Sequence, residues 1–251
     1  MGKILIIGLV VLLFSSCSKT KISKPKKISN RNIKISTEMR NEQRVALIIG
    51  NNEYKGNLSK LSNPINDARA IRDILKTRGF EVMYIENTSE KAMKKSIKDF
   101  FRKIKNGGVG VFYFSGHGIE VDGENYLIPT DADIKEKSET ESEAISLTKI
   151  TNRMQNTNNR LNIIILDACR NSPFSRAMGS GGLSKIEPRG LFVSYSTEAG
   201  KTASDGRVGG NGLFTKHLIN YMKVPGLNLT DMFKKTRESV FIESNEKQFP
   251  A

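Results

Sequence analysis

Five apolar, β-branched runs separated by stretches of helical periodicity limit the fold of this chain more than any other feature. The runs are Arg44 to Ile49, Phe80 to Ile85, Val109 to Phe114, Asn162 to Leu166 and Gly190 to Tyr195. Each has the length of a strand, and continuous apolar runs of this kind are the pattern of strands buried on both faces. Between the first two, Ile65, Ala68, Ile71, Ile74 and Leu75 recur at helical spacing, which predicts a helix from Pro64 to Gly79. Ala92, Met93, Ile97, Phe100, Phe101 and Ile104 give a second, over Thr88 to Lys105, and two more are expected at Gly212 to Lys223 and Leu229 to about Glu243. Doubly buried strands alternating with helices form a mostly parallel sheet covered on both faces. The fold class is therefore α/β: a three-layer sandwich in one domain, with five strands or six.

The N-terminus is built differently. Ile4 to Phe14 is an apolar run after Lys3 and before Ser15, Ser16 and Cys17. A bilayer crossing needs about 20 apolar residues, so this shorter run fits the core of a signal peptide over residues 1–16, and a polytopic membrane protein is excluded. The end of the run resembles a bacterial lipobox, in which the cysteine is diacylated, with Phe14 in place of the usual Leu. An uncleaved anchor or a buried cysteine is the competing reading. Lipidation of Cys17 leaves Cys169 with no intramolecular partner, and two cysteines in any case exclude a disulfide-stapled miniprotein. The implied location is the periplasmic or cell-surface side of a membrane, through a lipid anchor.

The net charge of +14 is unevenly placed: Lys3 gives +1, Ser18 to Arg44 with nine Lys/Arg and two Glu gives +7, and Val45 onward gives +6. Residues 17–43 thus form a basic, self-repelling, solvated tether that can touch anionic headgroups. Without interleaved aromatics it makes a poor nucleic-acid binder, and no nucleic-acid partner is expected.

Ligands of parallel α/β sheets bind beyond the carboxyl ends of the strands. The third run leads into Ser115-Gly116-His117-Gly118 and the fourth into Asp167-Ala168-Cys169-Arg170. Singly, a strand-end cysteine is usually an inert hydrophobe and a histidine usually structural. Together at neighbouring strand ends they suit thiol catalysis, because free cysteine is mostly thiol at neutral pH and an imidazole must generate the thiolate. No Gly-x-Ser-x-Gly elbow is present, and Gly107-Gly108 precedes its strand, which spoils a dinucleotide fingerprint.

The segments Leu47-Ile48-Ile49-Gly50-Asn51, Asn66-Asp67-Ala68, Tyr113 to Gly118, Asn125-Tyr126-Leu127-Ile128-Pro129 and Asp167-Ala168-Cys169-Arg170 resemble those of bacterial caspase-like peptidases. These are relatives of metacaspases and paracaspases in the C14 peptidase group. Tyr195-Ser196-Thr197 through Gly200, then Gly212-Leu213-Phe214-Thr215, is similar to the small-subunit segment of the same fold, so the resemblance runs from about Arg44 to Pro250. The spacing from His117 to Cys169 also matches the caspase arrangement, with the histidine about 50 residues upstream of the nucleophile. The resemblance implies a large-subunit-like part over 44–170, a linker over 171–189 and a small-subunit-like part over 190–251.

The nucleophile motif departs from caspases, whose Gln-Ala-Cys-Arg-Gly becomes Asp167-Ala168-Cys169-Arg170-Asn171. Caspases cleave after aspartate, and an acid two residues before the nucleophile repels that substrate. Metacaspases and paracaspases cleave after Arg or Lys, and the resemblance implies that Asp67 and Asp167 match their acidic pocket residues. An ungapped reading from Tyr195 puts Asp205 where caspases carry a pocket arginine. Paired carboxylates accept both arms of a guanidinium. The competing readings are a helix-terminus carboxylate for Asp67 and a plain turn for Asp205.

The expected activity is a cysteine endopeptidase acting on protein or peptide substrates with basic residues. Cys169 is the nucleophile, His117 the acid-base, and the backbone amides of Gly118 and Cys169 form the oxyanion hole. No third member of a triad is evident, and His217 reads as an ordinary helix residue. Arg176, Lys185 and Arg189 in the linker are candidate self-cleavage points, by resemblance to families that process themselves there. No cofactor is required and no metal site is expected. Asp131, Asp133, Glu136 and Glu139 to Glu143 invite comparison with the Ca²⁺ site of metacaspases, against which stands a solvated acidic loop with no EF-hand spacing. Lys247-Gln248-Phe249-Pro250 resembles the segment before the last caspase strand, which is expected to be missing here, and the oligomeric state is left open. The alternative to an enzyme is a catalytically idle caspase-like scaffold anchored to a membrane.

Overall fold

In the computed structural model each of the five apolar runs from Arg44 onward becomes a strand, and these runs pair side by side. It describes residues 42–56, 58–104, 108–169, 191–198, 201 and 203–251, with residues 39–251 grouped as one compact unit. In chain order the elements are β1 (Arg44–Gly50), α1 (Pro64–Thr77), β2 (Glu81–Glu86), α2 (Glu90–Lys103), β3 (Val109–Val121), β4 (Glu124–Leu127), α3 (Thr140–Glu143), β5 (Ile145–Ser146), α4 (Leu147–Gln155), β6 (Leu161–Cys169), β7 (Leu191–Tyr195), α5 (Leu213–Met222) and α6 (Leu229–Glu243). The five strands expected from sequence lie parallel in the order β2-β1-β3-β6-β7.

Two further strands were not legible. β3 runs past the end of β1, and its second half pairs antiparallel with β4, which pairs with β5, making a seven-stranded sheet among the described residues. β5 has only two residues and β4 only four, too few for a period to show. Ala251 also exchanges both backbone hydrogen bonds with Tyr195, its N–H donating over 3.1 Å and its carbonyl accepting over 2.7 Å. That pair lies where the sequence resemblance places a further strand.

Successive strand residues face opposite sides, so one alternation serves two cores. Ala46, Ile48, Val111, Tyr113, Ile163 and Ile165 pack against α1, α5 and α6. Leu47, Ile49, Phe112, Phe114, Ile164 and Leu166 pack against α2 and α4. This is the three-layer α/β arrangement.

Local chemistry sets where the helices begin. Ser89 accepts the Ala92 N–H and caps α2, and Asp131 takes the Glu90 N–H from across the loop. Pro64 opens α1, where its missing N–H costs nothing. Gly50 ends β1 against that helix: a Cβ there would lie 2.7 Å from both the Ala68 Cβ and the Pro64 carbonyl oxygen. The close approach brings Asp67, one turn into α1, to the carboxyl edge of the sheet.

Candidate active site

The parallel register of β3 and β6 ends with His117 opposite Cys169, so the two backbones lie at neighbouring-strand spacing of about 4.8 Å. His117 lies inside β3, and the strand continues four residues beyond it. Its place at the carboxyl edge comes from β1 and β6 stopping at Gly50 and Cys169, opposite Ser115 and His117.

The imidazole is fixed by a main-chain group. His117 Nε2 lies 2.8 Å from the Ser59 carbonyl oxygen. A carbonyl only accepts, so Nε2 carries the proton and Nδ1 is the ring nitrogen left with a lone pair. Burial pushes the His117 pKa below the ordinary histidine value, opposed in part by the Ser59 carbonyl and the Asp205 carboxylate. The neutral ring is the form a general base needs. A backbone carbonyl as the partner of a histidine leaves no residue-type signal in a sequence.

Gly118 follows in the strand. The Ile128 N–H donates to the His117 carbonyl over 3.0 Å, so the Gly118–Leu127 pair is of the non-hydrogen-bonded kind. The Gly118 N–H therefore points to the opposite edge of β3, the side of β6. His217, by contrast, sits on α5 with Nε2 2.8 Å from Glu243 Oε2, in a surface ion-pair setting.

The three candidate acids converge, although their side chains serve different contacts. Asp67 Oδ1 accepts from Asn211 Nδ2 and from the Gly212 N–H, each over 2.9 Å. Asp167 Oδ2 accepts from the Thr215 hydroxyl over 2.6 Å, and that hydroxyl is 2.7 Å from the Tyr113 hydroxyl. A Cβ on Gly212 would stand 3.0 Å from Asp67 Oδ2 and 3.4 Å from Asp167 Oδ2, so both carboxylates reach the same glycine at the start of α5. Asp67 is 2% exposed and Asp167 9%. Burial raises both pKa values, and the neighbouring carboxylate adds to it at Asp67, which favours holding a proton within the pair. Asp205 is half-exposed; its Oδ2 accepts the Ser62 N–H over 2.9 Å, and its charge is felt at Asp67, Asp167 and His117.

A residue that sequence reading passed over organises this loop. Asn63 holds the N-cap position of α1, yet its side chain makes no capping bond. Its Nδ2 donates to the Asp205 and Arg207 carbonyls, the latter over 2.8 Å, and its Oδ1 accepts the Gly209 N–H over 3.1 Å. Asn66 adds a bond to the Gly210 carbonyl at 3.0 Å. From the other side, Gln248 accepts the Ser204 N–H over 2.9 Å and donates to the Ser196 carbonyl over 2.7 Å. Asn before Pro reads as a helix start, and a start it is, but the amide is spent 142 to 146 residues away.

The acidic stretch before α4 is committed elsewhere. Glu139 accepts the Lys135 and Glu136 N–H groups, Asp133 pairs with Lys135 at 3.0 Å, and Glu141 pairs with Lys149 at 3.3 Å. Among the described residues no group of three or more His, Cys, Asp or Glu is placed to hold a metal ion. None of the described helices is long and apolar enough to cross a membrane. Cys17, Arg176, Lys185 and Arg189 lie outside the described residues.

A parallel α/β sheet with histidine and cysteine side by side at its carboxyl edge defines the caspase-like class. Residues 43–251 match the caspase domain family, Peptidase C14, and the chain belongs to that family. It is also similar to the human mucosa-associated lymphoid tissue lymphoma translocation protein 1 and to its mouse homolog, each 28% identical over 180 residues. The alignments cover 70% of this chain but 21% of those proteins, so the chain spans about a fifth of the length of the relatives it matches.

Proposed function

We propose that the protein is a cysteine endopeptidase that cleaves after Arg or Lys. The observation that carries this reading is the convergence of Asp67 and Asp167 on Gly212, with Asp167 only two residues before Cys169 in the same strand. A buried acid pair is unfavourable by itself, and a guanidinium or ammonium is the partner that would offset its repulsion. Asp205 would add negative charge at the rim.

In the proposed reaction His117 Nδ1 takes the proton of the Cys169 thiol, and the thiolate attacks the carbonyl carbon after the basic residue. The N–H groups of Gly118 and Cys169 receive the developing oxyanion, a contribution of roughly 3 kcal/mol per donor. The resulting imidazolium protonates the leaving amine as the peptide bond breaks. Water, deprotonated by His117, then hydrolyses the thioester and regenerates the thiol. No step calls on a cofactor. Self-cleavage at Arg176, Lys185 or Arg189 and membrane anchoring through a lipid on Cys17 belong to the same proposal.

The test is hydrolysis of short fluorogenic peptides ending in Arg, Lys or Asp by the full chain, beside Cys169→Ala and Asp167→Asn, with and without Ca²⁺. Wild type is expected to release dye from the basic peptides alone and Cys169→Ala from none. Asp167→Asn should lower kcat/KM for the basic peptides by about two orders of magnitude, the weight of a lost buried charge-assisted contact. Cleavage after Asp, or none with any peptide while Cys169 remains unmodified and reduced, refutes the assignment.

A further inference from the structure

Tyr54 stands outside every role assigned so far, and it touches His117 in two ways. Its hydroxyl accepts the backbone N–H of His117 over 2.7 Å and lies 3.3 Å from the Ile128 carbonyl, to which it donates. Its ring lies against the imidazole, with centroids 4.5 Å apart and planes at 55°. The side chain is 4% exposed and packs with Ile119, Tyr126 and Ile128. Gly116 leaves room for it, because a Cβ there would collide with the Tyr54 hydroxyl. Beyond Gly50, where β1 ends, no strand neighbour receives the His117 N–H, and the phenol takes that place.

Ser59, five residues further along the same loop, holds Nε2. One loop thus fixes the histidine at three points: backbone N–H, ring face and Nε2. A ring covered on one face and bonded at one nitrogen has few rotamers left, and Nδ1 is the atom those constraints leave open. Buried aromatic contacts of this geometry favour one orientation, and a small misplacement of a catalytic group costs large factors in rate.

We propose that Tyr54 is a positioning residue for His117, setting the imidazole so that Nδ1 serves Cys169 and shielding the ring from water. This rests on the His117–Cys169 reading of the site, and the experiment separates the two. The rate of iodoacetamide alkylation at Cys169, read on its peptide by mass spectrometry, is followed from pH 4 to 9 in the full chain, together with kcat and KM on an Arg peptide. Wild type should alkylate well below the pH of a free thiol, near 8.5, and His117→Ala should return to the free-thiol profile. Tyr54→Leu should move the profile toward that of His117→Ala and lower kcat at least tenfold with KM within about twofold. Tyr54→Phe, which keeps the ring, should recover most of the profile and lose only about threefold in kcat.

A Tyr54→Leu profile and kcat that superimpose on wild type overturn the positioning role while leaving the dyad intact. If Tyr54→Leu fails to fold, a wild-type profile and kcat in Tyr54→Met, which also removes the ring and the hydroxyl, do the same. Wild type that alkylates like His117→Ala sinks the dyad and the positioning role together.

Discussion

At the scale of single residues, the proposed site joins four reactive side chains to the main-chain and amide groups that hold them. His117, Cys169, Asp67 and Asp167 carry side chains whose types announce reactions; register sets His117 opposite Cys169, and the packing of α1 on Gly50 brings Asp67 to the same edge. Ser59 acts through its carbonyl and Asn63 through a long-range amide contact, and neither leaves a local pattern. Asp67 gives a test at this scale. A carboxyl group whose folded pKa is raised stabilises the fold fully below its unfolded pKa and loses that contribution as pH rises through the folded value. For Asp67 the window runs from the ordinary value of about 4 up to about 8, the position to which burial pushes it. Asp67→Asn keeps an oxygen for Asn211 and Gly212 while removing the charge. It should match wild type in melting temperature near pH 3.5, below the unfolded value, and exceed it by at least about 5 °C at pH 8.5, while losing turnover of Arg peptides. Equal melting curves at pH 8.5, measured by differential scanning calorimetry, would show that Asp67 carries no buried charge.

Among the elements, strands with uniform apolar character were legible because burial on two faces needs no phase, whereas β4 and β5 depend on a partner that sequence does not display. The apolar run of the third strand stops at Phe114, where Ser115 to Gly118 turns polar and glycine-rich. The strand itself continues to Val121 because β4 supplies its later partner. The loop over residues 203–212 shows a different limit. It buries little apolar surface of its own, with Ala203 and Leu213 the buried hydrophobics at its ends, and side-chain amides from α1 and from Gln248 hold it instead. Asn63→Ala leaves two loop carbonyls and the Gly209 N–H without their partner, at about 1–3 kcal/mol for each that stays buried. The expected result is a KM for basic peptides raised about tenfold with kcat within about threefold, because the loop carries Asp205 and Gly212 and the dyad is untouched. A fall in kcat with KM unchanged would place Asn63 in support of His117 and away from the acid pair.

For the whole molecule, the proposed site draws on five segments: the loop after β1, the first turn of α1, the far half of β3, the end of β6 and the loop before α5. Four of these lie in the sheet or pack directly against it, and they should stay formed until the whole domain unfolds. The fifth is fastened by hydrogen bonds that water can replace once they open. Local stability follows buried apolar contact, so elements tied mainly by polar bonds open at lower free energy than the cores beside them. In a urea titration of the full chain, hydrolysis of an Arg peptide should therefore fall at lower urea than far-UV circular dichroism, while Cys169 alkylation at pH 6 keeps its native rate across that gap. Asn63→Ala should widen the gap by moving only the activity midpoint. If activity and dichroism are lost together in both proteins, the loop opens only with the sheet, and its amide fastenings are as cooperative as the apolar cores.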